Sequence, residues 1–364
     1  MWRGALMIMS NSKCSRHVYK DLALMVPPTA SKSSRTSHTD IMAGELIFVT
    51  GAAGFVGAHA VEAALEAGYR VRGSVRREAQ AEQLRNYFNS KAAEFVIVRD
   101  ITKPGAYDGV LEGVDYIFHV ASPLPAQTKN YKKDVIEPAV LGTTTILEAA
   151  SKIPSVKKVV LTGSVIDLVP MSFITKGGVV VEDPKEEVTA NADDEFENPF
   201  LAYRASKVLA QQAAHKFMAE KKPHFSLASI HPVTILGRNL LQTSPDDVSG
   251  TNADLWYSLI GPKQTIPGSF WVHVRDVADL HVKALRPDLP SGEKFLASAG
   301  SLDWDEVRAF VKERYPLVQQ GEAEGPRVLP IDASKAERVL GMKWRNWQEA
   351  VTEVVDQQLG LSKL

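Results

Sequence analysis

Residues 45–57 read Glu45-Leu46-Ile47-Phe48-Val49-Thr50-Gly51-Ala52-Ala53-Gly54-Phe55-Val56-Gly57. A short apolar run that ends in a glycine cluster predicts a buried strand over 45–50. Val56, Ala60, Ala63, Ala64 and Ala67 then recur at helical spacing until Gly68, which predicts a helix over 55–68. The pattern T-G-x-x-G-x-x-G thus joins a strand to a helix. Gly51 suits the tight turn, Gly54 lets a backbone approach a pyrophosphate, and Gly57 lets the helix lie close to the sheet. The helix N-terminus adds free N–H groups and the positive end of its dipole. Gly51, Ala53, Gly54, Phe55, Val56 and Gly57 are therefore candidate dinucleotide contacts. A mere packing turn could use the same three glycines, but the flanking strand and helix weigh against it.

Working outward, strand patterns recur at 70–75, 95–98, 115–120, 158–161 and 225–230. Helical patterns at 78–88, 131–152 and 201–220 separate them. Such alternation predicts right-handed crossovers and a Rossmann-type α/β fold with a doubly wound parallel sheet. Beyond 235 the alternation weakens. A loop-rich stretch, 236–270, precedes a strand-to-helix step at 271–285 and short elements at 293–297, 303–314, 332–340 and 347–359. The expected organisation is a nucleotide-binding domain over 42–235, with 271–285 returning to it. A smaller interleaved C-terminal substrate lobe is expected from 236–270 and 286–364.

The 364 residues carry 42 Lys+Arg against 43 Asp+Glu, a net charge of −1, with 45% apolar residues. A phosphate backbone needs a basic surface, so nucleic acid is not an expected partner. The single cysteine, Cys14, leaves no intramolecular disulfide and no thiolate cluster, and no metal is expected. It also favours a reducing, cytoplasmic setting. No run reaches the ~18 apolar residues of a membrane helix. The charge is unevenly spread: residues 1–41 hold six basic and two acidic groups, leaving 36 basic against 41 acidic groups in the remainder. That basic, Ser/Thr-rich segment shows no apolar period and is expected to be a disordered extension. It reads either as an organellar targeting segment or as an extension upstream of a start at Met42. The run of Met42-Ala43-Gly44 straight into a strand favours the second.

The end of the second predicted strand reads Arg72-Gly73-Ser74-Val75-Arg76-Arg77. A carboxylate there would hold the ribose 2′-hydroxyl of NAD. Arg76 stands instead, and a guanidinium suits the 2′-phosphate of NADP. Asp100 and Ile101, after the third strand, are candidates for the adenine pocket, although Asp100 would equally suit a helix N-cap.

Y-x-x-x-K occurs twice, as Tyr87…Lys91 and Tyr203…Lys207. Tyr87 ends a peripheral helix and is expected to pack. Tyr203 opens the helix after the fifth strand, at the carboxyl ends of the sheet where ligands bind. The i, i+4 spacing puts Tyr203 and Lys207 on one helix face. A phenol with its ordinary pKa near ~10 is a sluggish proton donor, and a neighbouring ammonium stabilises the phenolate. Tyr203 could then protonate a carbonyl oxygen as hydride arrives at carbon. Lys207 could also reach the nicotinamide ribose. Ser164, after the fifth strand, would orient the carbonyl, with Thr162 as a second candidate.

Glycine loop, Ser164 and Tyr203/Lys207, in this order, resemble the extended short-chain dehydrogenase/reductase family across residues 44–360. The resemblance is to its dihydroflavonol-4-reductase-like branch, which includes fungal aldehyde and carbonyl reductases. Supporting segments include Val75-Arg76, Phe118-His119-Val120-Ala121-Ser122-Pro123, Gly142-Thr143 and His231-Pro232-Val233. The resemblance implies that Arg76 meets the 2′-phosphate. It also implies that Ala121 and Pro123 line the ribose and nicotinamide, and that Pro232 and Val233 cover the nicotinamide. Gly163 departs from a common serine, Thr145 from a common asparagine, and Arg238 from a common proline. His119 is expected to be structural. An acidic stretch running from Glu182 to Glu197 is expected to be a solvated loop near the pocket mouth.

The expected function is NADPH-dependent reduction of a small ketone or aldehyde by a monomer or homodimer. Leu236, Leu240, Trp256, Tyr257, Ile260, Phe270 and Trp271 suggest an apolar or aromatic substrate, though many of them must be core. Alternatives are a nucleotide-sugar epimerase or dehydratase, a 3β-hydroxysteroid-type dehydrogenase, and a silent NADP-sensing regulator. The first is disfavoured because Ser164-Val165-Ile166-Asp167 lacks the Thr-Asp-Glu usual there. The last is disfavoured by the retained Ser164, Tyr203 and Lys207.

Overall fold

The computed structural model describes residues 44–124, 127–261, 270–318 and 330–362. The expected N-terminal extension lies outside the described residues. The chain runs through β1 (Leu46–Thr50), α1 (Phe55–Glu66), β2 (Arg70–Val75), α2 (Glu78–Phe88), β3 (Ala93–Ile97) and β4 (Tyr116–His119). It continues through α3 (Glu137–Ala150), β5 (Lys158–Thr162), α4 (Met171–Lys176), α5 (Pro199–Lys221) and β6 (Ser226–Pro232). Then come β7 (Thr234–Leu236), α6 (Gly250–Ile260), β8 (Trp271–His273), α7 (Val274–Lys283) and β9 (Glu293–Ala297). α8 (Trp304–Arg314), α9 (Ser334–Leu340) and α10 (Trp347–Leu361) complete it.

Seven strands pair in parallel in the order β3-β2-β1-β4-β5-β6-β9. This is the expected Rossmann-like α/β sheet. β1 is buried along its whole length, as a strand covered on both faces must be. Successive side chains leave it on opposite faces. Ile47 and Val49 join a core with Ala60 of α1, Leu84 of α2 and Leu280 of α7. Phe48 joins a second core with Ile146 of α3 and Phe217 of α5. The strand order reverses between β1 and β4, and that reversal opens a crevice at the carboxyl ends. Register makes this edge level: Thr50 lies opposite His119, His119 opposite Leu161, and Leu161 opposite Ser229. Residues just past each strand therefore face a common crevice.

Differences from expectation have local causes. The helix expected over 131–152 opens as a π-helical turn, Lys132–Ile136, and becomes α-helical at Glu137-Pro138. Pro138 lies at that junction and gives no N–H to the preceding turn, where the wider π-type bonding occurs. The stretch expected to be loop-rich contains α6, which packs Leu255 and Leu259 into a third core with Leu236, Trp271, Trp304 and Val351. β9, expected in the C-terminal lobe, is instead the seventh strand of the main sheet, beside β6. Its Phe295, Leu296 and Ala297 are fully buried, which only an interior or covered strand achieves. The step at 271–285 divides: β8 pairs with β7 in a separate two-stranded sheet, while Val277 and Leu280 of α7 join the main core. In the acidic stretch, Glu186, Glu187, Asp193, Asp194, Glu195 and Glu197 are exposed as expected. Glu182 is buried and accepts the Leu296 N–H at 3.2 Å, and Asp183 pairs with Lys294 at 2.8 Å. Among the described residues, no helix is long and apolar enough to cross a membrane.

Candidate active site

The glycine loop is a close-fitting backbone cradle. Gly51 has φ +68°, a left-handed conformation that suits glycine, and a Cβ there would lie 3.1 Å from the Ala121 backbone. The Gly54 N–H donates to the Gly51 carbonyl at 2.9 Å. A Cβ on Gly57 would stand 2.1 Å from the Gly51 carbonyl oxygen, so α1 rests directly on the turn. Gly54 is the N-cap of α1, with no side-chain oxygen to satisfy the first-turn N–H groups. Ala53 and Val56 pack on the core, and the Phe55 ring meets His59 edge-on.

Thr50 ties this loop to the opposite wall. Its Oγ1 accepts the Val120 and Ala121 N–H groups, each at 3.1 Å. The remaining hydroxyl hydrogen then donates to His119 Nδ1 at 3.0 Å, which leaves the ring proton on Nε2. Burial, aided by the nearby Lys207 ammonium, pushes His119 down to about 3. His119 is thus a neutral buried group, as expected of a structural residue. Ala121 lines a crevice together with Thr143, Thr162 and Lys207, and Pro123, two residues on, is half-buried.

At the end of β2, the Arg76 and Arg77 N–H groups both donate to Gln80 Oε1 at 3.2 Å. Both side chains are exposed. The Asp100 carboxylate caps its own turn, accepting the Thr102 N–H at 2.9 Å and hydroxyl at 2.6 Å. These bonds hold Asp100 below its ordinary value. Its cap is that of a turn rather than of a helix. Ile101 packs on α3, where a Cβ at Gly142 would meet its Cδ1 at 2.9 Å.

α5 begins where Asn198 Oδ1 accepts the Leu201 N–H at 3.0 Å, and this cap sets the position of Tyr203. The Lys207 Nζ lies 5.6 Å from the Tyr203 ring centroid and 3.4 Å from the Thr162 carbonyl oxygen, to which it donates. Lys207 is buried and Tyr203 half-buried. Ser164 follows β5 in extended conformation and is half-buried. Thr162 is engaged elsewhere: His281 Nδ1–H donates to the Val277 carbonyl at 2.7 Å, so His281 Nε2 accepts the Thr162 hydroxyl at 2.8 Å. Ser164 caps the short turn at 165–167, where Asp167 returns a bond to its N–H. Pro232 ends β6, and the Val233 N–H donates to Ala297 at 3.1 Å. Tyr87, of the other Y-x-x-x-K, is 44% exposed at the end of α2, with its ring against Phe88.

A family model described as "NAD dependent epimerase/dehydratase family" matches residues 47–297. The chain belongs to that family. Ketoreductase sphI of Aspergillus fumigatus is 38% identical, over 87% of this chain and 98% of its own. Aldehyde reductase 2 of Sporidiobolus salmonicolor is 30% identical, over 86% of this chain and 95% of its own. The yeast methylglyoxal/isovaleraldehyde reductase Gre2, solved with NADPH, is similar at a TM-score of 0.78 and 27% identity, covering 87% of this chain and 99% of that one. This epimerase/dehydratase-family chain is an oxidoreductase built around a nicotinamide dinucleotide.

The family fold also places residues that sequence reading did not single out. Thr50 had no motif signal beyond its place before Gly51. Asp167 and His231 form a buried pair at 2.6 Å, although 64 positions separate them. His273, Glu349 and Glu353 converge closely enough for a metal, but the Arg275 guanidinium already pairs with both glutamates. Of the proposed substrate-lobe residues, Leu236 and Trp271 are core, each 2% exposed, and Trp256 and Ile260 pack on that core. Tyr257 is exposed.

Proposed function

We propose that the chain reduces a small ketone or aldehyde, apolar or aromatic, to the alcohol with NADPH. The observation that carries this reading is the Lys207 ammonium beside the Tyr203 ring, at the sheet edge where β5 presents Ser164. The named activities of the relatives support it. The glycine cradle suits a dinucleotide, because Gly51 and Gly57 let the turn close on Ala121 and α1, and Gly54 at the N-cap leaves the first-turn N–H groups without a side-chain partner for a phosphate to meet. Arg76, exposed where a carboxylate would select NAD, suits the 2′-phosphate. Ala121, Pro123, Pro232 and Val233 would flank the nicotinamide end, and Asp100 and Ile101 the adenine end.

When bound, the reduced nicotinamide supplies hydride to the carbonyl carbon. Ser164 Oγ–H donates to the carbonyl oxygen and orients it. Tyr203 Oη–H transfers its proton to that oxygen as negative charge develops there. Lys207 stabilises the phenolate that remains, and the Thr162 carbonyl holds its ammonium in place. Purified protein incubated with NADPH and a panel of aromatic ketones and aldehydes is expected to consume NADPH with at least one of them. Failure with the whole panel, or faster turnover with NADH, overturns the reading.

A further inference from the structure

Behind Ser164 lies a buried polar chain that the reaction above does not use. Asp167 Oδ2 accepts the Ser164 N–H at 2.9 Å. Its other oxygen meets His231 Nδ1 at 2.6 Å, and both side chains are fully buried. His231 Nε2 lies 2.7 Å from Ser229 Oγ. Ser229 Oγ in turn accepts from Gln211 Nε2 at 3.2 Å, whose other hydrogen faces His215 Nε2 at 2.8 Å. Every hydrogen has one destination. The Gln211 amide donates to Ser229, the Ser229 hydroxyl to His231 Nε2, and His231 Nδ1–H to the Asp167 carboxylate, which only accepts.

We propose that Asp167, clamped by His231, is the positioning residue for Ser164. The inference rests on the reductase reading. Asp167 fixes the backbone of Ser164 and hence where its Oγ points. The far end of the chain, Gln211, sits on α5 one turn beyond Lys207. The network therefore registers Ser164 on β5 against the helix that carries Tyr203 and Lys207. Glycine at 163 belongs to the same device. A Cβ there would lie 2.7 Å from both Asp167 Oδ2 and His231 Nδ1, so a side chain at 163 and the pair exclude one another.

A double-mutant cycle separates positioning from bulk structure. Steady-state kinetics use NADPH and the best substrate of the panel above, with NADPH binding followed by fluorescence. Asp167→Ala is expected to lower kcat by about tenfold in the native background, and by less than about twofold in Ser164→Ala. NADPH affinity is expected to stay unchanged. Asp167→Asn keeps an acceptor for the Ser164 N–H but turns its NH2 toward the His231 Nδ1–H, so its kcat should fall between native and Asp167→Ala; it also serves if the alanine variant does not fold. Gly163→Ser should mimic Asp167→Ala. Equal losses in both backgrounds, or an asparagine variant as impaired as the alanine one, overturn the inference alone. A Ser164→Ala enzyme with native kcat removes Ser164 as the orienting hydroxyl and the inference with it, whereas failure of the native enzyme with the whole panel overturns the reductase reading.

Discussion

The two ends of the crevice are built from different material. At β1 and β4 the wall is backbone: Gly51, Gly54 and Gly57 remove side chains so that main chain can approach main chain. At β5 and α5 it is side chain: Lys207, Tyr203 and Ser164, held from behind by Thr162, Asp167 and His231. A phosphate is recognised by N–H groups and a dipole, which any residue's backbone offers, so selection there acts on shape. The proton transfer proposed at the other end needs particular functional groups at particular places, which a buried polar scaffold supplies.

The contrast is broken first at Tyr203. Tyr203→Phe should cost ~10²–10⁴-fold in kcat while NADPH binding is retained, read by single-turnover kinetics beside a fluorescence titration. Native turnover would remove Tyr203 as proton donor. At the backbone end, Gly57→Ala should act oppositely. Its methyl must displace the Gly51 carbonyl, at a cost of about 1–3 kcal/mol, with NADPH affinity falling more than kcat at saturation. Unchanged affinity would mean the loop is not the phosphate cradle. Arg76→Ala should lower the NADPH-over-NADH preference by about tenfold, as loss of a charge-assisted bond does; a preserved ratio of kcat/KM values excludes it.

Acid should reveal the scaffold in a third way. Burial pushes His119 down to about 3 and His281 to about 4, from an ordinary 6.5. Below pH 6.5 the unfolded chain takes up protons that the folded chain refuses. Stability is therefore fully present above 6.5 and falls as pH drops toward 4, by about 1 kcal/mol per pH unit for each group. Urea melts between pH 7.5 and 5 measure this, and a flat profile contradicts it. The smallest effect on turnover is expected from Thr162→Val, within about threefold. Its hydroxyl serves His281 rather than a ligand, so the cost should appear as ~1–3 kcal/mol of stability. A loss as large as that of Ser164→Ala would reopen Thr162 as the orienting hydroxyl.

Much of this was legible in order along the chain. β2 and α2 lie where the apolar periods put them, because a strand buried on both faces and an amphipathic helix carry short-range signals. β9 did not announce its sheet. Its apolar run is short, and only the open edge of β6 says where it pairs. α6 was hidden for a similar reason: its apolar residues face a lobe core assembled from β7, β8, α8 and α10. Tyr87…Lys91 has the same spacing as Tyr203…Lys207. Position after β5, rather than the motif itself, separated them.

The local sequence determined the glycine turn, the alternation of strands and helices, and the i, i+4 pairing of Tyr203 with Lys207. Each depends on backbone geometry within a few residues. Tertiary structure alone decided that the Thr162 hydroxyl is spoken for by His281, that Glu182 is buried while its acidic neighbours are solvated, and that Gly163 makes room for Asp167 and His231. Those outcomes depend on atoms brought together from distant strands. No periodicity along the chain encodes which buried donor will meet which acceptor.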